Sequence, residues 1–380
     1  MEFENIGRMI DRAAETRSEN GAALVLTRRG EQVFTHSAGT ADYEKKTGFR
    51  ENTICRAYSL SKVVTATACM MLMERGKLDT SWNLEWFIPE FAHAKYIEDG
   101  KPVESPPIKI RDLLNMTSGI AYPGGSYEGA EEMGTLWWRL EQSIRSGSSM
   151  TTQEFAAEAG KVPLAYPAGR EWMYGSSADI LGAVIEKAAD MEYSEFLSQN
   201  IFRPLGMEDT AFFVPPEKRD RLAALYENAG ENPKKPDYVN LCIFDYEENP
   251  KFQSGGAGLF STAADYAKLG AALSSGGKGI ISARAADFMR ENGLSTEQKK
   301  TFNWDSVRGF GYANLVRCLT DRNAAGLFAT KGSFGWDGWT GTYLLCDPEE
   351  QLSITLFVQR CGAGTTQLSR DIVNAVYAAL

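Results

Sequence analysis

Ala57-Tyr58-Ser59-Leu60-Ser61-Lys62-Val63-Val64 places a serine three residues before a lysine, at the head of an apolar run that continues through Ala66, Ala68, Cys69, Met70, Met71, Leu72 and Met73. The run is long enough for a helix, and Gly76 offers a stop. With Ser59 near its first turn, Ser59 and Lys62 fall on one face, because residues three apart are neighbours on a helix. A serine hydroxyl is a weak nucleophile until a nearby base takes its proton. A lysine can be that base if burial lowers its pKa. Ser-x-x-Lys is a short pattern, often a capping or surface accident. Its place before an almost wholly apolar helix, which reads as buried, is what gives it weight.

The 380 residues suffice for a large core and two structural lobes. An apolar content of 43% with 24% charged residues is that of an ordinary globular chain. Forty basic against fifty acidic residues leave a formal charge of −10, which argues against nucleic acid or an anionic membrane as partner. No 18-residue apolar segment appears, so no membrane span is expected. The opening Met1-Glu2-Phe3-Glu4-Asn5 lacks the basic start and apolar stretch of a secretory signal, and the expected location is cytoplasmic. Cys55, Cys69, Cys242, Cys318, Cys346 and Cys361 are scattered without close pairs, which predicts buried free thiols.

The two histidines narrow the chemistry further. His36 lies in a predicted strand and His93 follows Phe91; neither has an HExxH setting, and no Gly-x-Ser-x-Gly elbow occurs. A Ser-His-Asp hydrolase is therefore disfavoured, and lysine and tyrosine are the better activators of a serine. No carboxylate cluster has a convincing ligand spacing, so neither metal nor cofactor is implied.

Along the chain, Ile6, Met9, Ile10, Ala13 and Ala14 recur at helical spacing. Ala22–Thr27 and Gln32–Thr35 flank Arg29-Gly30 as a hairpin. Helical character follows at 108–114, 130–144 and 152–159. Tyr166-Pro167-Ala168-Gly169 is a strong breaker ahead of Trp172, Tyr174, Gly175 and Ser176, then a helix over 178–189. Residues 213–250 form a loop-rich excursion, read as a lobe edge or cleft wall. The glycine-dense Ser254-Gly255-Gly256-Ala257-Gly258 reads as a tight turn into a helix over 263–273, capped by Ser261-Thr262 or Asp265. Residues 312–319, 327–330, 342–346 and 352–358 are strand-like, and Ile372, Val373, Val376 and Ala379 mark a terminal helix. Strands at both ends with helices between predict an α+β fold. One sheet forms from the two chain ends under the terminal helices, and the middle makes a mainly helical lobe.

Taken in order, these blocks resemble the serine beta-lactamase and penicillin-binding-protein superfamily, in its class C-like branch of esterases and D-aminopeptidases. Ser59-Leu60-Ser61-Lys62 is similar to the nucleophile motif. Residues 110–114 through Thr117-Ser118-Gly119-Ile120 match a second block, and Tyr174-Gly175-Ser176 before Asp179-Ile180-Leu181-Gly182 resembles the tyrosine motif. Pro204-Leu205-Gly206-Met207 with Thr210, and Gly256–Leu259 with Ser261, Thr262 and Asp265, match two structural blocks. Trp336-Asp337-Gly338 takes the place of the Lys-Thr-Gly strand motif. Lys46-Thr47-Gly48 has those letters but precedes the nucleophile, and is read as coincidence.

The resemblance implies a beta-lactamase/transpeptidase-like fold, with a sheet domain from residues 1–56 and 285–380, a helical domain over 57–284 and the active site in the cleft between them. It implies Ser59 as nucleophile, with Lys62 and Tyr174 sharing proton transfer, and leaves open which of them is the base. It assigns the oxyanion donors to the backbone N–H groups of Ser59 and Trp339. Ser176 is implied to contact the substrate or Lys62. Trp336, Asp337, Gly338 and Tyr122 join it at the substrate, with Trp336, Trp339 and Tyr122 lining the acyl pocket. The expected activity is hydrolysis of a small ester, amide or short peptide through an acyl-enzyme, with esterase activity foremost. A D-amino-acid-specific peptidase or amidase, or a silent protein that binds peptides or cell-wall fragments, are the alternatives. Loss of the third motif's lysine removes the group expected to hold a beta-lactam carboxylate.

Overall fold

Alternation decides the centre of the molecule. In β1 (Gly21–Arg28), Ala22, Leu24 and Leu26 enter one apolar cluster while Ala23 and Val25 enter another. A strand buried on both faces needs cover on both sides. The computed structural model, which describes residues 3–380, supplies it; Met1 and Glu2, the start of the stretch read for a leader, lie outside the described residues. On one face, α1 (Glu4–Glu15) and the terminal helix Gln367–Ala378 set Ile6, Ile10, Ile372, Val373 and Val376 against Leu24, Leu26 and Leu356. On the other, the Ala263–Ser274 helix brings Tyr266, Leu269 and Leu273 to Ala23, Val25 and Phe357.

The sheet is antiparallel and eight-stranded. Its order is β3 (Thr47–Gly48), β2 (Glu31–Asp42), β1, then Leu352–Val358, Tyr343–Asp347, Phe334–Asp337, Val316–Leu319 and Phe310–Ala313. The two chain ends meet where Leu24 pairs with Leu356 and Leu26 with Ile354. The expected α+β architecture is thus present, with a mainly helical middle that includes Ala130–Arg145, Thr152–Ala159 and Ser177–Ala189. The Lys46-Thr47-Gly48 letters fall at the sheet's edge, with four strands between them and Phe334–Asp337.

Three local expectations are corrected. The helix predicted from Ser59 is a 3-10 turn over Tyr58–Leu60 followed by α2 (Ser61–Glu74). Residues 312–319 are not one strand but the inner part of a hairpin, folded back at Asn314 and Leu315 in left-handed backbone (φ 48° and 63°). Residues 327–330 make no strand. Leu327 and Ala329 are buried beneath the terminal helix while Phe328 faces solvent, so the alternation is real but no neighbouring strand pairs with it.

α2 is apolar all round, and every residue from Ser61 to Leu72 is buried. It packs beside the Ser177–Ala189 helix. All six cysteines are free thiols, five of them buried. Among the described residues no helix is long and apolar enough to cross a membrane.

Candidate active site

The turn before α2 is held from several directions. The Leu60 carbonyl accepts the Tyr266 hydroxyl, and the Ser61 hydroxyl accepts the Leu259 N–H at 3.0 Å. The carbonyls of Arg56 and Ala57 accept the hydroxyls of Thr340 and Thr342 at 3.0 and 2.9 Å, and the Gln359 amide also donates to Arg56 at 3.1 Å. The nucleophile segment is thereby tied to the loop after the Phe334–Asp337 strand. Tyr58 sits at φ 45°, a conformation few side chains adopt without cost. Its buried ring, packed against Trp339 at 5.1 Å, holds it there.

One turn on, Lys62 Nζ lies 3.2 Å from Ser59 Oγ, 3.0 Å from the Tyr122 hydroxyl and 2.8 Å from the Gly256 carbonyl. The side chain is fully buried, whereas lysine normally keeps its head in water. Burial brings its pKa down from the ordinary 10.5 to about 7, against the opposing pull of the Asp179 and Asp337 carboxylates. The amine therefore exists largely uncharged at mildly alkaline pH, which is the state that can accept a proton.

Tyr174 presents its ring to the same amine, with Nζ 4.5 Å from the ring centre. Burial raises its pKa, while hydrogen bonds with Ser59 and Trp336 work the other way. The Trp336 indole donates to the phenol oxygen at 2.9 Å, and the two rings stack at 5.6 Å. Tyr122, raised further by burial, completes the surround. A bridge between Ala121 and Gly175 aligns the two tyrosine-bearing segments. Only glycine suits that pairing, since a Cβ at 175 would lie 2.2 Å from the Ile120 carbonyl oxygen.

The structure brings Ser59, Lys62, Tyr174 and Tyr122 together, and gives the remaining sequence candidates specific places. Tyr122 faces the lysine through its hydroxyl and does more than line a pocket. Ser176 does not reach Lys62: it is fully buried and donates its hydroxyl to the Ala121 carbonyl at 2.9 Å, so its position is structural. Trp336, 2% exposed, is a support for Tyr174 rather than an open pocket wall. Asp337 pairs with Arg317 at 2.6 Å. Trp339 is partly exposed, with the exposed Tyr238 against it at 6.2 Å, and its N–H meets no protein acceptor among the described residues. That is the condition of a donor available to a substrate oxygen.

Gly338 has no room for a side chain. A Cβ there would stand 2.1 Å from Thr342 Oγ1 and 2.4 Å from the Ala57 carbonyl oxygen. Gly338→Ala must displace the backbone that leads into the Trp339 N–H, and ester kcat/KM is expected to fall about a hundredfold, the scale of a lost oxyanion donor. Steady-state kinetics beside a thermal melt tests this. Wild-type kinetics in a folded variant would show that the N–H of Trp339 takes no part.

Sequence reading missed two contributors. Asp179, quoted from the sequence only as part of the block after the tyrosine motif and given no role at the site, is fully buried and accepts from the Ser254 hydroxyl and, at 3.1 Å, the Gly256 N–H. Burial raises its pKa and the Lys62 charge opposes the rise. The glycine-dense turn supplies the Gly256 carbonyl to Lys62, and a Cβ at 256 would lie 2.6 Å from the Tyr122 hydroxyl. No pattern in the sequence marks a backbone carbonyl as a ligand; the density of glycines and the resemblance of Gly256–Leu259 to a structural block were the signals.

Comparison with known proteins places these features in a family. The profile of the family described as Beta-lactamase matches residues 6–378. The chain is 28% identical over 389 residues to the esterase EstB of Burkholderia gladioli, covering 97% of this chain and 94% of that protein. It is 26% identical over 386 residues to a lovastatin esterase of Penicillium rubens, covering 93% and 90%. Among solved structures, EstCE1, described as a hydrolase with promiscuous acyltransferase activity, superposes with a TM-score of 0.80 at 24% identity, over 99% of this chain and 98% of that one.

Proposed function

The chain belongs to the beta-lactamase family, and on that premise we propose that it is a serine esterase that works through an acyl-enzyme and can pass the acyl group to water or to an alcohol. The observation that carries this is the fully buried Lys62 amine, 3.2 Å from the Ser59 hydroxyl and with its pKa at about 7. The opposite displacement of the Tyr174 phenol supports the division of labour. A phenol raised above its usual range stays protonated at neutral pH and is a donor, whereas a lowered lysine is an acceptor.

In this reading the neutral Lys62 takes the Ser59 proton as Oγ bonds to the ester carbonyl carbon. The carbonyl oxygen takes up the electron pair and lies between the N–H groups of Ser59 and Trp339. Collapse of this intermediate breaks the bond to the alkoxy group. The leaving oxygen receives a proton from Tyr174, which is replenished by the Lys62 ammonium. Water or an alcohol then attacks the acyl-enzyme by the same steps reversed.

The site has Trp336, Asp337 and Gly338 where a Lys-Thr-Gly strand would hold a substrate carboxylate, which supports neutral esters over beta-lactams. The esterase names of EstB and the lovastatin esterase support the same choice. The proposed cleft lies between a sheet domain of residues 1–56 and 285–380 and a helical domain of 57–284. The tie between the Arg56 and Ala57 carbonyls and residues 340–359 supports this arrangement. A cytoplasmic location is proposed from the free thiols.

Short-chain p-nitrophenyl esters, a D-aminoacyl p-nitroanilide and a chromogenic cephalosporin, tried side by side, test the reading. Ester turnover is expected to dominate, with kcat/KM rising through about pH 7 to a plateau as Lys62 loses its proton, and with an acyl mass added to the peptide that contains Ser59. Absence of ester turnover, or an adduct elsewhere, would overturn it.

A further inference from the structure

Arg317 is 3% exposed, a rare state for a guanidinium. Its Nη1 donates to Asp337 Oδ2 at 2.6 Å and to Thr365 Oγ1 at 3.0 Å. The aromatic rings of Phe310, Trp336 and Tyr343 lie around it, with centres 5.3 to 5.4 Å from its central carbon. Asp337 also accepts the Thr365 hydroxyl. A buried ion pair is a doubtful source of stability, because desolvation cancels much of the attraction, so its presence at one place needs another reason.

The place is informative. Asp337 stands between Trp336, whose indole holds the Tyr174 phenol, and Gly338-Trp339, which carry the free N–H. Arg317 sits on the next strand, where it pairs with Gly335. Within the site, Lys62 is faced by Ser59 from the turn before α2 and by Tyr122 from the loop after the Ile110–Leu114 helix. Tyr174 precedes the Ser177–Ala189 helix, Asp179 lies on it, and Asp337 comes from the sheet. Arg317 itself is faced by Asp337 and Tyr343, and Arg370 lies beyond Tyr343. Of the two carboxylates whose charge reaches Lys62, Asp179 and Asp337, only Asp337 has a cationic partner on its far side among the described residues.

We propose that Arg317 is a positioning residue for acylation. Its pairing with Asp337 holds the Trp336–Trp339 segment in place and offsets the carboxylate that would otherwise favour the charged form of Lys62. The proposal rests on the esterase reading above and adds a residue that touches neither substrate nor nucleophile. Its physical content is a difference of sign. Without the guanidinium, the bare Asp337 charge favours the Lys62 ammonium, and the base is lost at a higher pH. Without the carboxylate, the ammonium is disfavoured and the base survives to a lower pH.

The pH dependence of kcat/KM for p-nitrophenyl acetate, each variant scaled to its own plateau, reads this directly. Arg317→Met is expected to move the acid limb upward, with a several-fold loss at about pH 6. Asp337→Asn is expected to move it downward, with a gain at the same pH. Arg317→Lys keeps the charge and should keep the wild-type limb, and the Arg317→Met/Asp337→Asn double variant should fall near it. If Arg317→Met does not fold, Asp337→Asn and Arg317→Lys still decide. An unmoved limb in Asp337→Asn, or shifts of the same sign in both single variants, would overturn the proposal. Absence of Ser59-dependent turnover in the wild type would instead strike the esterase reading.

Discussion

Ser59→Ala is expected to lower kcat/KM for p-nitrophenyl butyrate by about 10⁴-fold or more, while leaving the fold intact. The side chain is 8% exposed and small, so its loss opens little space. Lys62 keeps the Tyr122 hydroxyl and the Gly256 carbonyl as acceptors. What disappears is the hydroxyl proposed to bond with the acyl carbon, leaving the Lys62 amine and Tyr174 phenol with no nucleophile to serve. The assay is paired with intact-protein mass spectrometry, where the variant should show no acyl adduct. Turnover within tenfold of wild type would mean that the reaction does not pass through Ser59.

Lys62→Met separates activity from stability. Acylation should slow by about 10² to 10⁴-fold, the range for a lost general base. The same change should stabilise the fold near neutral pH. A lysine whose pKa falls from 10.5 to about 7 on folding binds fewer protons in the native state than in the unfolded chain between those values. Wild-type stability is therefore reduced at and below pH 7, and the deficit fades as pH rises towards 10.5. Methionine matches the volume without the charge, although three oxygen acceptors lose their donor, at a combined cost of about 1 to 3 kcal/mol because two of them are hydroxyls that can turn elsewhere. The net gain expected at pH 7 is about 1 to 3 kcal/mol, and it turns into a small loss by about pH 10, where only the lost hydrogen bonds remain. Urea titrations of both proteins across that range give the difference, and equal stability at every pH would mean that Lys62 carries its ordinary charge in the fold.

Local signals carried much of the fold and part of the site. β1 announces itself as a short apolar run before Arg29-Gly30 and the terminal helix by its period, and one helical turn suffices to make neighbours of residues 59 and 62. Tyr174 was marked by the breaker before it and by its order in the chain. The rest depends on distances that the chain does not encode locally. Gly256 lies 194 positions from the lysine it serves, and Asp179 and Arg317 carry no flag of burial in their flanking residues. Residues 327–330 show the converse: their composition read as strand-like, but the alternate burial of Leu327 and Ala329 needs only a helix overhead, whereas a strand needs a partner. Ser176 was placed by motif alone, and its hydroxyl goes to the nearest carbonyl instead.

The hydroxyls of Thr340 and Thr342 and the amide of Gln359, which grip the carbonyls of Arg56 and Ala57, also set a schedule for biosynthesis. A nascent chain extended as far as Gly338 already carries its serine, lysine and tyrosine, and the Tyr266 hydroxyl and Leu259 N–H that hold Leu60 and Ser61, but not the groups that grip Arg56 and Ala57. Translation must pass Gln359, just beyond the Leu352–Val358 strand, before all of these groups are in place. The nucleophile's turn is thus completed late, by residues made after its own serine, lysine and tyrosine.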